Sequence, residues 1–303
     1  MFAGCNASSG PVFCHAEHRG DTLQLIPPPA DASASTLQEC IRSYRNDAQC
    51  NEALFKQFTE CTDAVPLLRL HRDLVERNAW GHGDRAFHFL WYLIFRDLAA
   101  AIGTVRCCEI GVYKGQVISL WSRLAEECGV TAHITAISPF EGNACDGSGR
   151  WWDFPRRLLN RFSRQYRDMT RSGSLYPRED YMATVRHVFS ANGLDSRPVT
   201  LLKGYSQDAH VLAQVRGAEF DLLYIDGDHT YPAVKADIEE YAPLVCDGGY
   251  LIMDDAASDL PGSGYFKGYP GVARACGLLP DLGFANVLNV GHNRLFQKRP
   301  RGR

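Results

Sequence analysis

Residues 221–256, DLLYIDGDHTYPAVKADIEEYAPLVCDGGYLIMDDA, leave few folds open to this chain. Two short apolar runs, Leu222-Leu223-Tyr224-Ile225 and Tyr250-Leu251-Ile252-Met253, each run into carboxylates. The first meets Asp226 and Asp228, with His229 beside them, and the second meets Asp254 and Asp255. Between the runs, Val234, Ile238, Tyr241, Ala242 and Val245 recur at helical spacing. Thr230 is placed to cap that helix and Pro232 to sit in its first turn. Gly248-Gly249 is expected to break the helix and turn the chain into the second strand. A strand–helix–strand crossover of this kind makes the two strands parallel, so their C-terminal ends share one edge of a sheet. Open α/β sheets bind ligands at that edge.

Asp226, Asp228, His229, Asp254 and Asp255 are therefore expected to converge at one mouth. Crowded carboxylates repel, and a divalent cation relieves the repulsion. An all-oxygen set suits a hard ion such as Mg2+. The competing reading is a group of solvated strand-end acids that cap helices. For one Asp alone that reading is the better one; for acids at the tips of two parallel strands the functional cluster is favoured.

A chain of 303 residues forms one large domain or two small ones, and its 45% hydrophobic and 22% charged residues are ordinary for a globular protein. A net charge of −3 gives no reason to expect a nucleic acid or a membrane surface as partner. The N-terminus lacks a basic start followed by an apolar core, and the most apolar run, from Phe89 to Phe95, is too short to span a bilayer. Eleven cysteines occur without a CxxC pair, so packed, reduced thiols in a cytoplasmic setting are the default expectation. Cys107-Cys108 lies in an expected strand with its side chains on opposite faces.

Along the chain, residues 1–35 read as a loosely attached tail rich in Gly, Pro, Ala and Ser, and 36–85 as an N-terminal helical extension. Within 78–85, a loop before the next helix, His82 and Arg85 are within conceivable reach of a ligand. A plain turn with Asp84 as helix N-cap is an equal alternative. Phe87, Trp91, Ile94 and Leu98 predict an amphipathic helix opening the main domain, 86–303. Strands are expected at 104–110, 133–137 and 199–202. The first ends in Glu109 and turns through GVYKG, where glycines permit close backbone approach to a ligand and a helix N-terminus follows. A GxGxxG fingerprint is absent, which argues against NAD. Residues 143–180 hold eight arginines and two tryptophans, and read either as a lid over an anionic substrate or as a solvated insertion. Ser206 and Gln207, after the third strand, are candidates to bond a base edge. Tyr265, Phe266 and Tyr269 lie in a glycine-rich loop expected near the mouth. Residues 284–288 and 294–297 suggest a closing antiparallel hairpin turning at Gly291-His292-Asn293.

Taken together, EIGVYKG, SPFEG, LLKGYSQDA and the IDGDH…GGY…DD block resemble class I S-adenosylmethionine-dependent methyltransferases. The nearest branch is the macrocin O-methyltransferase and cephalosporin-hydroxylase-like group, and the likeness covers about residues 86–298. The resemblance implies a Rossmann-like, seven-stranded, mostly parallel α/β sheet with helices on both faces and a reversed C-terminal hairpin. It implies cofactor contacts from Glu109, Gly111, Tyr113 and Gly115, from Ser138, Phe140 and Glu141 after the second strand, from Ser206 and Gln207, and from Asp226. Ser138 stands where the family usually carries an acid for the ribose hydroxyls, and Glu141 is the residue able to compensate. Metal ligands, with Mg2+ as the expected ion, fall on Asp226, Asp254 and Asp255, and the base on Asp228 or His229. The activity implied is O-methylation of a small acceptor, such as a sugar or natural product, that is anionic or glycosylated; a homo-oligomer stays open. Two other readings remain: a hydroxylase, for which no convincing two-histidine-one-carboxylate set is visible, and a non-catalytic module on an inherited fold.

Overall fold

Alternating apolar residues build a sheet that buries both of its faces, and the computed structural model describes residues 35–142 and 179–300. Expectations for the N-terminal tail and nearly all of the arginine-rich insertion fall outside those residues. The strands are β1 (Thr104–Ile110), β2 (Thr131–Ser138), β3 (Thr200–Lys203), β4 (Phe220–Ile225), β5 (Val245–Met253), β6 (Phe284–Val290) and β7 (Asn293–Lys298). Their order in the sheet is β3-β2-β1-β4-β5-β7-β6. The first five are parallel, whereas β7 runs antiparallel to both β5 and β6. The reversed hairpin is therefore present, and the chain order changes direction between β1 and β4, where such sheets open a crevice.

Helices cover both faces. Leu222 and Tyr224 of β4 pack with α1 (Leu37–Ser43), α2 (Ala48–Ala64), α4 (Ala86–Ala101), α5 (Gln116–Cys128) and α6 (Tyr181–Ala191). Their neighbours Leu223 and Ile225 pack with α7 (Ala209–Val215), α8 (Tyr231–Tyr241) and α9 (Pro270–Ala275). Side chains alternate across a strand, so the same rule sends Cys107 to one core and Cys108 to the other. The described cysteines are all unpaired. No described helix is long and apolar enough to cross a membrane.

Two local expectations differ from the structure. Helix α4 is not amphipathic: every residue from Ala86 to Phe95 is buried. Helices α1 and α2 pack over the face that a two-layer fold would leave in water, so the N-terminal helices share the main core. An apolar stripe all round marks such a helix. Gly248-Gly249 does not end a helix. The helix stops at Tyr241, a 3-10 turn over Ala242–Leu244 follows, and both glycines lie inside β5. Gly248 takes φ +80°, a conformation that favours glycine, and a Cβ on Gly249 would press on the carbonyl of Asp221 beside an irregular register.

Polar ties fix the N-terminal helices to the crevice. Arg85 is not at a ligand; it pairs with Asp63, Asp73 and Glu76, joining α2 and α3 (Pro66–Asn78) to the loop before α4. Below it, His71 Nδ1 lies 3.0 Å from His88 Nε2, and His71 Nε2 lies 3.0 Å from Ser119 Oγ. Burial pushes the His71 imidazole down to about 3, so the chain is a neutral hydrogen-bonded link from α4 through α3 to α5.

At the crevice, the strand tips are tied in sequence: Asp226 N donates to Ile110 O at 2.8 Å, and Asp254 N to Ile225 O at 3.1 Å. Gly111, at φ +98°, lies so near the Asp226 carbonyl that a Cβ would overlap it. Gly111→Ala is therefore expected to cost at least about 2 kcal/mol in urea unfolding, through backbone strain and displacement of Asp226. Gly103→Ala, where a Cβ meets open space, should change stability little.

Candidate active site

A cavity of about 640 Å³ opens at the tips of β1, β4 and β5. One wall is the turn after β1, with Glu109, Gly111, Val112 and Tyr113; the other is Asp226, His229, Asp254 and Asp255. The parallel pairing of β1, β4 and β5 brings these segments together, since Glu109 pairs with Tyr224 and Ile225 with Met253. The opposite side is aromatic: Trp80, Phe87, Trp91, Phe266 and Tyr269. Asp255 and Tyr113 both hold positive φ, at +51° and +49°. Non-glycine residues adopt that conformation rarely, and it re-aims each side chain at its strand tip.

The carboxylates crowd as expected. Burial holds the Asp226 and Asp254 carboxyls well above the usual carboxylate range; the charge of Asp255 raises Asp226 further against a hydrogen bond with Asp254, and the charge of Asp226 raises Asp254. Glu109 is raised in the same direction by burial and by Asp254, while the Ile118 backbone at the start of α5 stabilises its charge. His229 Nε2 lies 3.3 Å from Asp255 Oδ2 and 3.7 Å from Asp226 Oδ1, and its ring stacks on Tyr269 at 4.6 Å between centroids. This set fits the demands of a divalent cation: several buried carboxyl oxygens converge, and Asp254 Oδ1 has no hydrogen-bond partner.

The other expected site residues divide. Glu109, Gly111, Tyr113 and Asp226 line the cavity. Gly115 does not: it is the N-cap of α5 at φ +89°, a conformation that favours glycine, and a Cβ there would crowd Val185 of α6 at 3.1 Å. Asp228 is turned away from the acids; its Oδ1 accepts from Thr230 N at 2.7 Å and closes the turn into α8. Thr230 itself caps nothing with its side chain. Phe140 is buried at φ +52°, Ser138 is half-buried at the tip of β2, and the exposed Glu141 carboxylate pairs with Lys203 at 3.1 Å. Ser206 and Gln207 do not present their side chains to the cavity. Ser206 Oγ donates to Asp237 Oδ1 at 2.5 Å, and Gln207 Nε2 reaches the same oxygen at 3.4 Å.

Of the loop residues, His82 lines the cavity and stacks on Tyr113 at 5.1 Å. Asp84 also lines it, while the N-cap of α4 is Arg85. Phe266 and Tyr269 reach the mouth, whereas Tyr265 packs with Ala257 and Leu260. Sequence reasoning missed His292. Its Nε2 lies 3.5 Å from Asp254 Oδ1 and 3.6 Å from Asp255 Oδ1. The signal was the hairpin: Met253 pairs with Arg294, so continuing that antiparallel register sets His292 opposite Asp255.

Asp237 offers a test of the α8 tie. Burial raises its carboxyl to about 6 against hydrogen bonds from Ser206 and Gln207. The folded state then binds the extra proton, so stability falls as pH rises from the unfolded value near 3.8 through 6. Asp237→Asn removes that dependence. Its advantage over wild type in urea unfolding should grow between pH 4 and 7.5, by on the order of 2–3 kcal/mol.

Comparison with known proteins places this architecture. A family model described as a methyltransferase domain (Methyltransf_24) matches residues 108–256, from within β1 to just past the acids after β5. No curated protein matches the chain. Among solved structures, the O-methyltransferase NovP superposes with a TM-score of 0.51 at 19% identity, covering 70% of this chain and 79% of its own. The calicheamicin methyltransferase CalS11 gives 0.48 at 16%, covering 85% and 96%. The O-methyltransferase TomG from Streptomyces achromogenes, in complex with SAM, gives 0.45 at 14%, covering 78% and 91%. Strand order, reversed hairpin and family match agree: residues 108–256 match a methyltransferase-domain model, and the chain has the Rossmann-like fold of such enzymes.

Proposed function

We propose that this chain transfers a methyl group from S-adenosylmethionine to a hydroxyl of a small acceptor, with a divalent ion at Asp226, Asp254 and Asp255. The observation that carries the reading is the continuity of one cavity. It joins the Gly111 turn, where a cofactor can approach bare backbone, to the acids and His229. NovP and TomG are both described as O-methyltransferases, which supports oxygen as the acceptor atom.

Methyl transfer from a sulfonium is an in-line displacement: the acceptor oxygen bonds the methyl carbon, the C–S bond breaks, and sulfur leaves with the electron pair. Alignment is most of what a protein contributes to such a step. Glu109 would face the cationic end of a bound donor, which would favour its charged form, and Tyr113 with His82 would form a flat wall beside it. A divalent ion at the acids would lower the pKa of an acceptor hydroxyl and fix its direction. His229 is the group placed to take the proton, with its Nε2 3.3 Å from Asp255 Oδ2 and the Tyr269 stack holding the ring plane. Asp228 is the weaker candidate for the base, because its carboxylate is engaged by Thr230. The aromatic side of the cavity excludes water and offers flat faces to a sugar or an aromatic natural product. A hydroxylase gains one feature, two imidazoles flanking Asp255, but leaves the Gly111 cradle without a use.

Titration calorimetry should show S-adenosylmethionine binding to the intact chain, and absence of binding would remove the methyltransferase reading. His229→Ala is expected to lower kcat about 10²- to 10⁴-fold with cofactor affinity retained, as for loss of a general base. Turnover that stays normal would move the proton to solvent or Asp228.

A further inference from the structure

We infer that His292 supplies a nitrogen ligand to the divalent ion, so that the site selects a transition-metal ion such as Mn2+ or Co2+ over Mg2+. The inference rests on the metal-assisted reading above and adds to it the identity of the ion. One ligand atom each from Asp254, Asp255 and His292 lies within 4.8 Å of the others. The His292 Nε2 separations of 3.5 and 3.6 Å from the two carboxylates are too long for hydrogen bonds. They suit donors sharing one ion, since ligands bound at about 2.0–2.2 Å stand roughly 3–4 Å apart in tetrahedral or octahedral geometry.

Three further features point the same way. Asp254 Oδ1 and His292 Nδ1 are buried without hydrogen-bond partners. Behind the ring, Nδ1 faces Asp84 Oδ2 at 3.7 Å, the carboxylate–imidazole arrangement that orients metal-bound histidines. The ring is also held in place: Phe87 and Phe266 meet it edge to face at 4.5 and 5.4 Å, and Ala256 N donates to the His292 carbonyl at 2.8 Å. An imidazole among carboxylates disfavours Mg2+, which prefers oxygen and water, and raises affinity along the first-row series.

The test uses the intact protein with Mn2+ or Mg2+ alone. Equilibrium dialysis should show Mn2+ held at least about tenfold tighter than Mg2+, the order a nitrogen donor imposes. Pulsed electron paramagnetic resonance of the Mn2+ form should show coupling to a 14N nucleus. The coupling should vanish in His292→Ala and persist in His229→Ala, and Asp84→Asn should weaken Mn2+ about 10- to 100-fold. Wild-type protein that binds Mn2+ without 14N coupling, holds Mg2+ equally well, or binds no ion would overturn the inference. The wild-type spectrum decides the matter even if a variant fails to fold. S-adenosylmethionine affinity, measured on the same preparations, separates this failure from failure of the methyltransferase reading.

Discussion

Carboxylates buried side by side are the constraint around which the rest of this molecule is arranged. Moving one ionised group out of water costs several kcal/mol, and like charges add to that. Here Asp226, Asp254 and Glu109 are all driven toward their neutral forms by burial and by one another. Asp255 stands beside them in a left-handed conformation that side chains rarely adopt. Folding alone gives no reason to collect such groups at three adjacent strand tips. Binding a cation and a cationic sulfonium does, because each turns repulsion into attraction.

The scaffold is built to hold that arrangement rigid. Glycines sit where two backbones must nearly touch. Gly111 admits the Asp226 carbonyl, and Gly268 admits the backbone of Asp255, so the loop carrying Phe266 and Tyr269 closes directly onto the acid. The N-terminal helices do more than cover the sheet. Through Arg85 and the His88–His71–Ser119 link they fix the loop bearing His82 and Asp84 across the crevice from the strand tips. The cavity is therefore walled by segments from three distant parts of the chain, and changes in α2 or α3 bear on the site without touching a ligand.

The chemistry follows from which groups meet there. A flat aromatic side, a bare-backbone turn and a cluster of carboxyl groups line one hollow, which is what the proposed donor and acceptor places rest on. Two histidines approach the acids from opposite sides, His229 from the start of α8 and His292 from the final hairpin. Their roles separate by surroundings. His229 stacks on Tyr269 of the mouth loop, while His292 is boxed by Phe87 and Phe266 with Asp84 behind it.

What the amino-acid sequence determined by itself was everything carried by local pattern. The parallel βαβ unit, the tips bearing Asp226, Asp254 and Asp255, the turn after Glu109 and the reversed hairpin all follow from period, turn residues and crossover handedness. Tertiary packing decided the rest. Period could not reveal that α4 is buried all round, because the covering helices lie far away in sequence. Nor could it show that Ser206 turns inward to Asp237, that Gly115 lies against Val185, or that Gly249 lies against the Asp221 carbonyl. His292 looked like a turn residue because its partners come from β5, and only the pairing of β7 with that strand sets the imidazole against the acids. Local sequence fixes which groups a strand tip carries; long-range pairing fixes which of them share a hollow.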